Sequence, residues 1–360
     1  MRPAVILASL ASAALVVASP AAHAARTYGV AGPKAVAVKA LDNATSLVAP
    51  TSGGPYPLVI ASHGFSASGD NQIGWAKHFA SWGLVVAVPT FPSPLSPDTA
   101  KNASTIDDLV NRLRGPLATA EGVSTGAFGL EGHSAGGLAT TVAALKLTPA
   151  ATVLFDPVDK DGVGKAAYAM LCSPVLALFA EASSCNNSAG WRPLPTTSDL
   201  LAFDVKGSTH CDGENAARGL CGPVCGGAAT ADRQATYAHY ATAFLLAHLA
   251  GDAAAATALV DATVAADSAL ANVKHSVSTC AKPTGDAGPP PSDGGPSSSS
   301  SSSGASGQAA PADPQPGEPL PPVPASNAGC GCRMAPATFA WRSVSLVVIA
   351  LGALLARRRR

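Results

Sequence analysis

The sequence predicts an α/β protein with a mostly parallel sheet flanked by helices. Short β-branched runs alternate with longer alanine-rich stretches, the rhythm of strands joined by crossover helices. The runs are apolar and bounded by Gly, Pro or polar residues, as strands covered on both faces are. Strands are expected at Ala35–Leu41, Leu58–Ser62, Leu84–Val88, Ala127–Glu131, Thr152–Phe155, Val175–Phe179 and Leu201–Val205. Helices are expected at Gln72–Trp82, Ser104–Leu113, Ala135–Lys146 and Asp232–Leu249, with a further alanine-rich segment after Asp252.

This pattern fills residues 26–282, and the flanks read differently. Arg2 precedes an apolar run from Ala4 to Val17, and Ala22-His23-Ala24 offers small residues where a signal peptidase cleaves. The run is too short to span a membrane, so residues 1–25 are read as a secretory signal peptide. Residues 283–328 are almost wholly Pro, Gly, Ser, Ala and Asp, with a serine run from Ser297 to Ser303. Such a stretch cannot bury a core and reads as a spacer. Residues 329–360 carry Gly329-Cys330-Gly331-Cys332-Arg333, an apolar run from Val344 to Ala356 and the arginines Arg357–Arg360. They are read as a sorting or anchor segment, with the membrane as its partner and the arginines on the cytoplasmic side.

Acidic and basic residues number 23 each, which argues against a nucleic-acid partner and against steering of an anionic substrate. Six cysteines lie in the body: Cys172, Cys185, Cys211, Cys221, Cys225 and Cys280. In an exported protein they are expected as three disulfides, chosen from fifteen pairings. Cys211, Cys221 and Cys225 beside His210 also have zinc-ligand chemistry. The oxidising compartment favours disulfides there, and no metal or cofactor is expected.

The strongest chemical signal is Gly132-His133-Ser134-Ala135-Gly136, a G-x-S-x-G between a predicted strand and a predicted helix. That context marks the nucleophile elbow of an α/β-hydrolase fold. A serine hydroxyl is a weak nucleophile and needs a base, itself oriented by a third group. In this fold the chain order is serine, acid, histidine. His210 follows a strand and a Gly-containing loop and is the expected base, whereas His239 and His248 fall in a helical pattern. Asp156 closes a strand that Pro157 halts, and is the expected acid. The stretch after the next strand, where the acid more usually sits, lacks an Asp, so Glu181 is second and Asp159 third. A turn-capping role is the bland alternative for Asp156. The oxyanion of an acyl-transfer intermediate needs backbone donors, each contributing about 3 kcal/mol. The amides of Ala135 and of Phe65, in His63-Gly64-Phe65-Ser66, are expected to supply them, with His63 bracing the loop. About sixteen residues separate Asp156 from the next strand, too few for a large lid.

Ser62-His63-Gly64-Phe65, Gly132-His133-Ser134-Ala135-Gly136-Gly137 and Asp156-Pro157-Val158-Asp159 resemble motifs of the chlorophyllase-like branch of the α/β-hydrolases. That branch is similar to cutinase-like polyester hydrolases and platelet-activating-factor acetylhydrolases. The resemblance covers roughly Tyr56 to His210 and implies that Asp156, in Asp-Pro-Val, is the acid. It further implies hydrolysis of a carboxylic ester, in a lipid, a polyester or a small molecule, through an acyl-enzyme, but not chlorophyll as substrate. A peptidase or acyltransferase on the same fold, or a non-catalytic surface-binding protein on a hydrolase scaffold, are the alternatives. The C-terminal segment resembles myxobacterial sorting tails, which implies a surface-tethered enzyme and a sorting protease as partner.

Overall fold

The computed structural model describes residues 26–186, 197–215 and 221–280. Nine strands form one sheet: β1 (Val36–Asp42), β2 (Thr45–Pro50), β3 (Tyr56–Ser62), β4 (Val85–Pro89), β5 (Val123–His133), β6 (Ala151–Phe155), β7 (Val175–Phe179), β8 (Leu200–Val205) and β9 (Leu270–Ser276). Their order across the sheet is β1-β2-β4-β3-β5-β6-β7-β8-β9. Neighbours from β4 through β8 run parallel, and antiparallel pairs close the two edges. The helices are α1 (Ile73–Ser81), α2 (Thr99–Arg114), α3 (Ala118–Glu121), α4 (Ala135–Leu147), α5 (Val163–Tyr168), α6 (Cys221–Val224), α7 (Ala231–Ala250), α8 (Ala253–Ala258) and α9 (Asp261–Ala266).

The central strands β4, β6 and β7 are buried at every position, because each face of the sheet carries its own core. On one face Trp75 and Phe79 of α1 and Tyr237 and Tyr240 of α7 pack with Phe155 and Phe203. On the other, Ile106, Leu109 and Leu113 of α2 and Leu138 of α4 pack with Leu58, Phe128 and Tyr168. Each such side chain contributes about 1.5–3 kcal/mol by leaving water. The two-sided burial explains why the strands read as unbroken apolar runs rather than alternating ones.

Every expected strand and helix is present, with ends shifted by a few residues. The largest shift is in α2, which starts at Thr99 because Asp98 caps it, accepting from the Lys101 amide at 3.1 Å. The sequence reading omitted two strands, β2, which lies between β1 and β4, and the edge strand β9. β2 returns from β1 through a turn in which the Ala44 amide donates to Asp42 Oδ1 at 3.0 Å, and it holds only a short apolar stretch. β9 is mostly exposed and carries Lys274 and His275, polar residues of the kind that blunt an edge strand. The alanine-rich segment after Asp252 forms two short helices before β9. Asp252 caps the first, accepting from the amides of Ala254 and Ala255.

Cys172, just before β7, is bonded to Cys280, just after β9, with Cα atoms 5.7 Å apart. Among the described residues no helix is long and apolar enough to cross a membrane. The signal peptide, spacer and anchor expected at 1–25, 283–328 and 329–360 lie outside the described residues. The parallel strands deliver the loops after β3, β5, β6 and β8 to one edge of the sheet, the edge where α/β folds gather ligands and chemistry.

Candidate active site

β5 ends at His133 and α4 begins at Ala135, leaving Ser134 alone on the turn at φ 55° and ψ −123°. A non-glycine residue held in this region costs about 1–3 kcal/mol. Three backbone bonds hold it there: the Ser134 amide donates to Phe155 O at 3.0 Å, and its carbonyl accepts from Leu138 N at 3.2 Å and Val158 N at 3.3 Å. A Cβ at Gly132 would strike Thr140 Oγ1, and one at Gly136 would strike the carbonyl oxygens of Ser62 and His63. The two glycines of the motif therefore let the first turn of α4 lie directly against the loop after β3.

Ser134 Oγ lies 2.9 Å from His210 Nε2, and His210 Nδ1 lies 2.6 Å from Asp156 Oδ2. All three residues are buried, with Ser134 and His210 each retaining 5 % exposure. The structure thus brings together the three residues expected from chain order. Asp156 stands just past β6 at φ 42°, its amide donating to Leu178 O at 2.7 Å. Its Oδ1 accepts from the Ala180 amide at 3.1 Å. The other candidate acids are engaged elsewhere. Glu181 is exposed and accepts from the Gly207 amide at 2.8 Å, and Asp159 accepts from the amides of Gly164 and Lys165 at the start of α5.

His210 opens a 3-10 turn, His210–Gly213, closed by a reciprocal Thr209–Asp212 capping box. Asp212, fully buried, is paired with Arg233 Nε at 2.7 Å and accepts from the Thr230 amide at 2.9 Å, which ties the turn to α7. Cys211 is bonded to Cys221, and Cys225 to Cys185. Those two bonds explain why the sulfurs of Cys211, Cys221 and Cys225 lie within 4.8 Å of one another. His133 adds a support the motif does not announce. Its Nε2 faces His210 O at 2.9 Å and must therefore carry the proton and donate, while its ring packs 4.6 Å from the His210 ring.

The two expected oxyanion donors stand on segments that adjoin Ser134. Ala135 is the first residue of α4, so its amide has no acceptor within the helix. A Cβ at Gly64 would come within 3.0 Å of Ser134 Cβ, which puts the next residue, Phe65, beside the nucleophile. The loop around it is fixed: Ser66 N donates to Pro94 O at 2.8 Å. His63 Nε2 accepts from the Phe91 amide at 2.8 Å, so Nδ1 holds the proton and donates to Gly64 O at 2.8 Å. His63 is a brace, as its position before the nucleophile suggested. His239 is buried, accepts from the Tyr28 amide and is pushed down to about 4 by burial and by nearby Arg26. His248 packs on Phe244, and His275 pairs with Asp261 at 2.7 Å.

Two features escaped the sequence. Asn186 donates from Nδ2 to Asp156 Oδ2 at 2.8 Å; only its place beside Cys185 could have pointed to it. Glu131, three residues before Ser134, is fully buried, and among the described residues neither of its carboxylate oxygens has a partner. Burial pushes its pKa well above the ordinary carboxyl value, which favours the neutral acid in the folded protein. A separate groove of about 630 Å³ runs between Pro92–Lys101 and Lys160–Val163, and none of Ser134, Asp156 or His210 lines it.

A search of curated proteins returns no match to the chain. Residues 23–186, just under half of the 360, match the model of the Chlorophyllase family. The matched stretch carries Phe65, Ser134 and Asp156 and stops before His210. Over that stretch the chain is similar to the Chlorophyllase family, and its mostly parallel sheet with flanking helices agrees with an α/β-hydrolase fold.

Proposed function

We propose that the protein is an exported, surface-tethered serine esterase that cleaves carboxylic esters through an acyl-enzyme, with Ser134 as nucleophile, His210 as base and Asp156 as acid. Support comes above all from the relay of 2.9 Å and 2.6 Å that joins the three side chains. With its Nδ1 proton donated to Asp156, neutral His210 presents a lone pair at Nε2 to the Ser134 hydroxyl. Oγ attacks the ester carbonyl as Nε2 takes its proton, and the resulting oxyanion accepts from the amides of Phe65 and Ala135. Collapse breaks the bond to the alkoxide, which leaves as the alcohol with the proton from Nε2. Water then attacks the acyl-enzyme with His210 again as base, freeing the acid and Ser134.

An apolar acyl group fits the surroundings. Phe65, Leu95, Val163 and Val224, exposed by 43–73 %, stand on segments that follow β3, β4, β6 and β8, the edge that holds Ser134. Three disulfides agree with export, because such bonds persist in oxidising compartments. The tether is inferred from the Cys motif, apolar run and arginines of residues 329–360.

The direct test is hydrolysis of p-nitrophenyl esters from acetyl to palmitoyl by the protein and by Ser134→Ala. Turnover is expected for the wild type and a loss on the order of 10⁶-fold in kcat for the variant. A folded wild type with intact disulfides that cleaves none of these esters would overturn the proposal. Reduction provides a second check, since Cys211 adjoins His210 and Cys185 adjoins Asn186. Treatment with a strong reductant is expected to lower kcat severalfold, whereas unchanged kcat with fully titrated thiols would show that the staples are irrelevant to the site.

A further inference from the structure

We propose that Asn186 is a positioning residue for the acid, fixing the Asp156 carboxylate in the orientation that keeps His210 in its working tautomer. This rests on Asp156 and His210 acting as the acid and base proposed above. An asparagine amide has two donor hydrogens and an oxygen with two lone pairs, and here all four are used. Nδ2 donates to Asp156 Oδ2 at 2.8 Å and to Glu181 O at 2.8 Å. Oδ1 accepts from Ser183 N at 2.6 Å and Ser183 Oγ at 2.9 Å. The saturation settles which end of the amide is which: reversed, it would set an oxygen against a carboxylate and a carbonyl, and an NH₂ against the Ser183 N–H.

The consequence falls on the carboxylate. Through Oδ1 Asp156 has one anchor, the Ala180 amide at 3.1 Å, and a single anchor leaves the group free to turn about its last torsion. The Asn186 donor shares Oδ2 with His210 Nδ1 and removes that freedom, so Oδ2 stays in line with the imidazole. Asn186 is itself held in place, since the adjacent Cys185 is bonded to Cys225. It belongs to the loop after β7, where the acid of this fold more usually sits. In this chain the acid comes from β6, and the β7 loop supplies a donor to it.

The test compares the full chain with Asn186→Leu, Asn186→Asp and Ser183→Ala at pH 8. Three quantities are read: kcat and KM on p-nitrophenyl butyrate, the far-downfield ¹H resonance of the His210 Nδ1 proton, and thermal stability. Asn186→Leu and Asn186→Asp are expected to lose about ten- to a hundredfold in kcat, the scale of one hydrogen bond to a charged group. KM should stay within about twofold, the sign of an effect on the chemical step, and the downfield resonance should shift or vanish. Ser183→Ala keeps both Nδ2 bonds and should retain kcat and the resonance. Asn186→Asp nearly preserves shape, so a folding defect in the leucine variant would not obscure the outcome. Retention of kcat and resonance in both Asn186 variants, or equal losses in Ser183→Ala, would reduce Asn186 to a loop brace and overturn the proposal. If the wild type cleaves no ester, the esterase reading fails, while the resonance still reports whether Asn186 orders the Asp156–His210 bond.

Discussion

Asp156→Asn is expected to lower kcat by about 10⁴-fold while leaving KM nearly unchanged, the loss that follows when a triad histidine is held in the wrong tautomer. The cause lies in the donors around the carboxylate. Ala180 N and Asn186 Nδ2 both donate to Asp156, so an asparagine there can satisfy only one of them with its single oxygen. With that oxygen kept on the Ala180 amide, the NH₂ faces His210 Nδ1 as its acceptor, and the imidazole must give up its Nδ1 proton. Nε2 becomes the N–H, points at Ser134 Oγ and can no longer accept a proton from it. Glu181→Gln is the control, because among the described residues the Glu181 side chain bonds the Gly207 amide, an interaction a glutamine oxygen can keep, and the change should alter kcat less than about threefold. Steady-state kinetics on one soluble ester distinguishes the two carboxylates: a large loss in Glu181→Gln and none in Asp156→Asn would reverse the assignment.

Glu131→Met is expected to stabilise the protein, and more so as pH rises. In the fold burial pushes the Glu131 pKa up and favours its neutral form, whereas in the unfolded chain it ionises near the usual carboxyl value. Between those two values unfolding releases a proton, so wild-type stability falls with rising pH, by up to about 1.4 kcal/mol per unit from this group. Below the unfolded pKa both states hold the proton and the linkage term vanishes. Methionine is of similar length, carries no proton and needs no hydrogen-bond partner. Thermal melts should show Glu131→Met several degrees above wild type at pH 8, with the gap narrowing toward pH 5. A gap that is constant with pH would mean that Glu131 is ionised in the fold.

How much of this was legible depended on whether a signal was local. The nucleophile turn is written within five residues, since Gly132 and Gly136 are dictated by oxygens that would meet any Cβ there. Asp156 and His210 were legible through order along the chain, because strand ends in a parallel sheet gather at one edge whatever the intervening lengths. Asn186 was not, since its contact depends on the path of a loop whose course is fixed by a disulfide, and fifteen pairings were open. Strands β2 and β9 were missed for different reasons. β2 is paired on both sides but holds only a short apolar stretch; β9 is paired on one side and mostly exposed, so it needs no apolar run, and it hides behind the alanines that precede it. Glu131 sat in plain sight inside an apolar strand, but a charged residue there signals its neutral state only once the sheet is known to be covered on both sides.

The bond between Cys172 and Cys280 has a mechanical meaning. β9 hangs on the sheet by its pairing with β8 alone, and a pull on the chain beyond its end would peel those hydrogen bonds apart one at a time. Cys280 lies four residues past Ser276, and its partner Cys172 lies three residues before Val175 in the middle of the sheet. Traction arriving from the C-terminal side therefore crosses a covalent link into β7, a strand clamped by neighbours on both flanks. The edge strand is left slack, and a pull on the chain beyond Cys280 reaches β7 without first stripping β9 from β8.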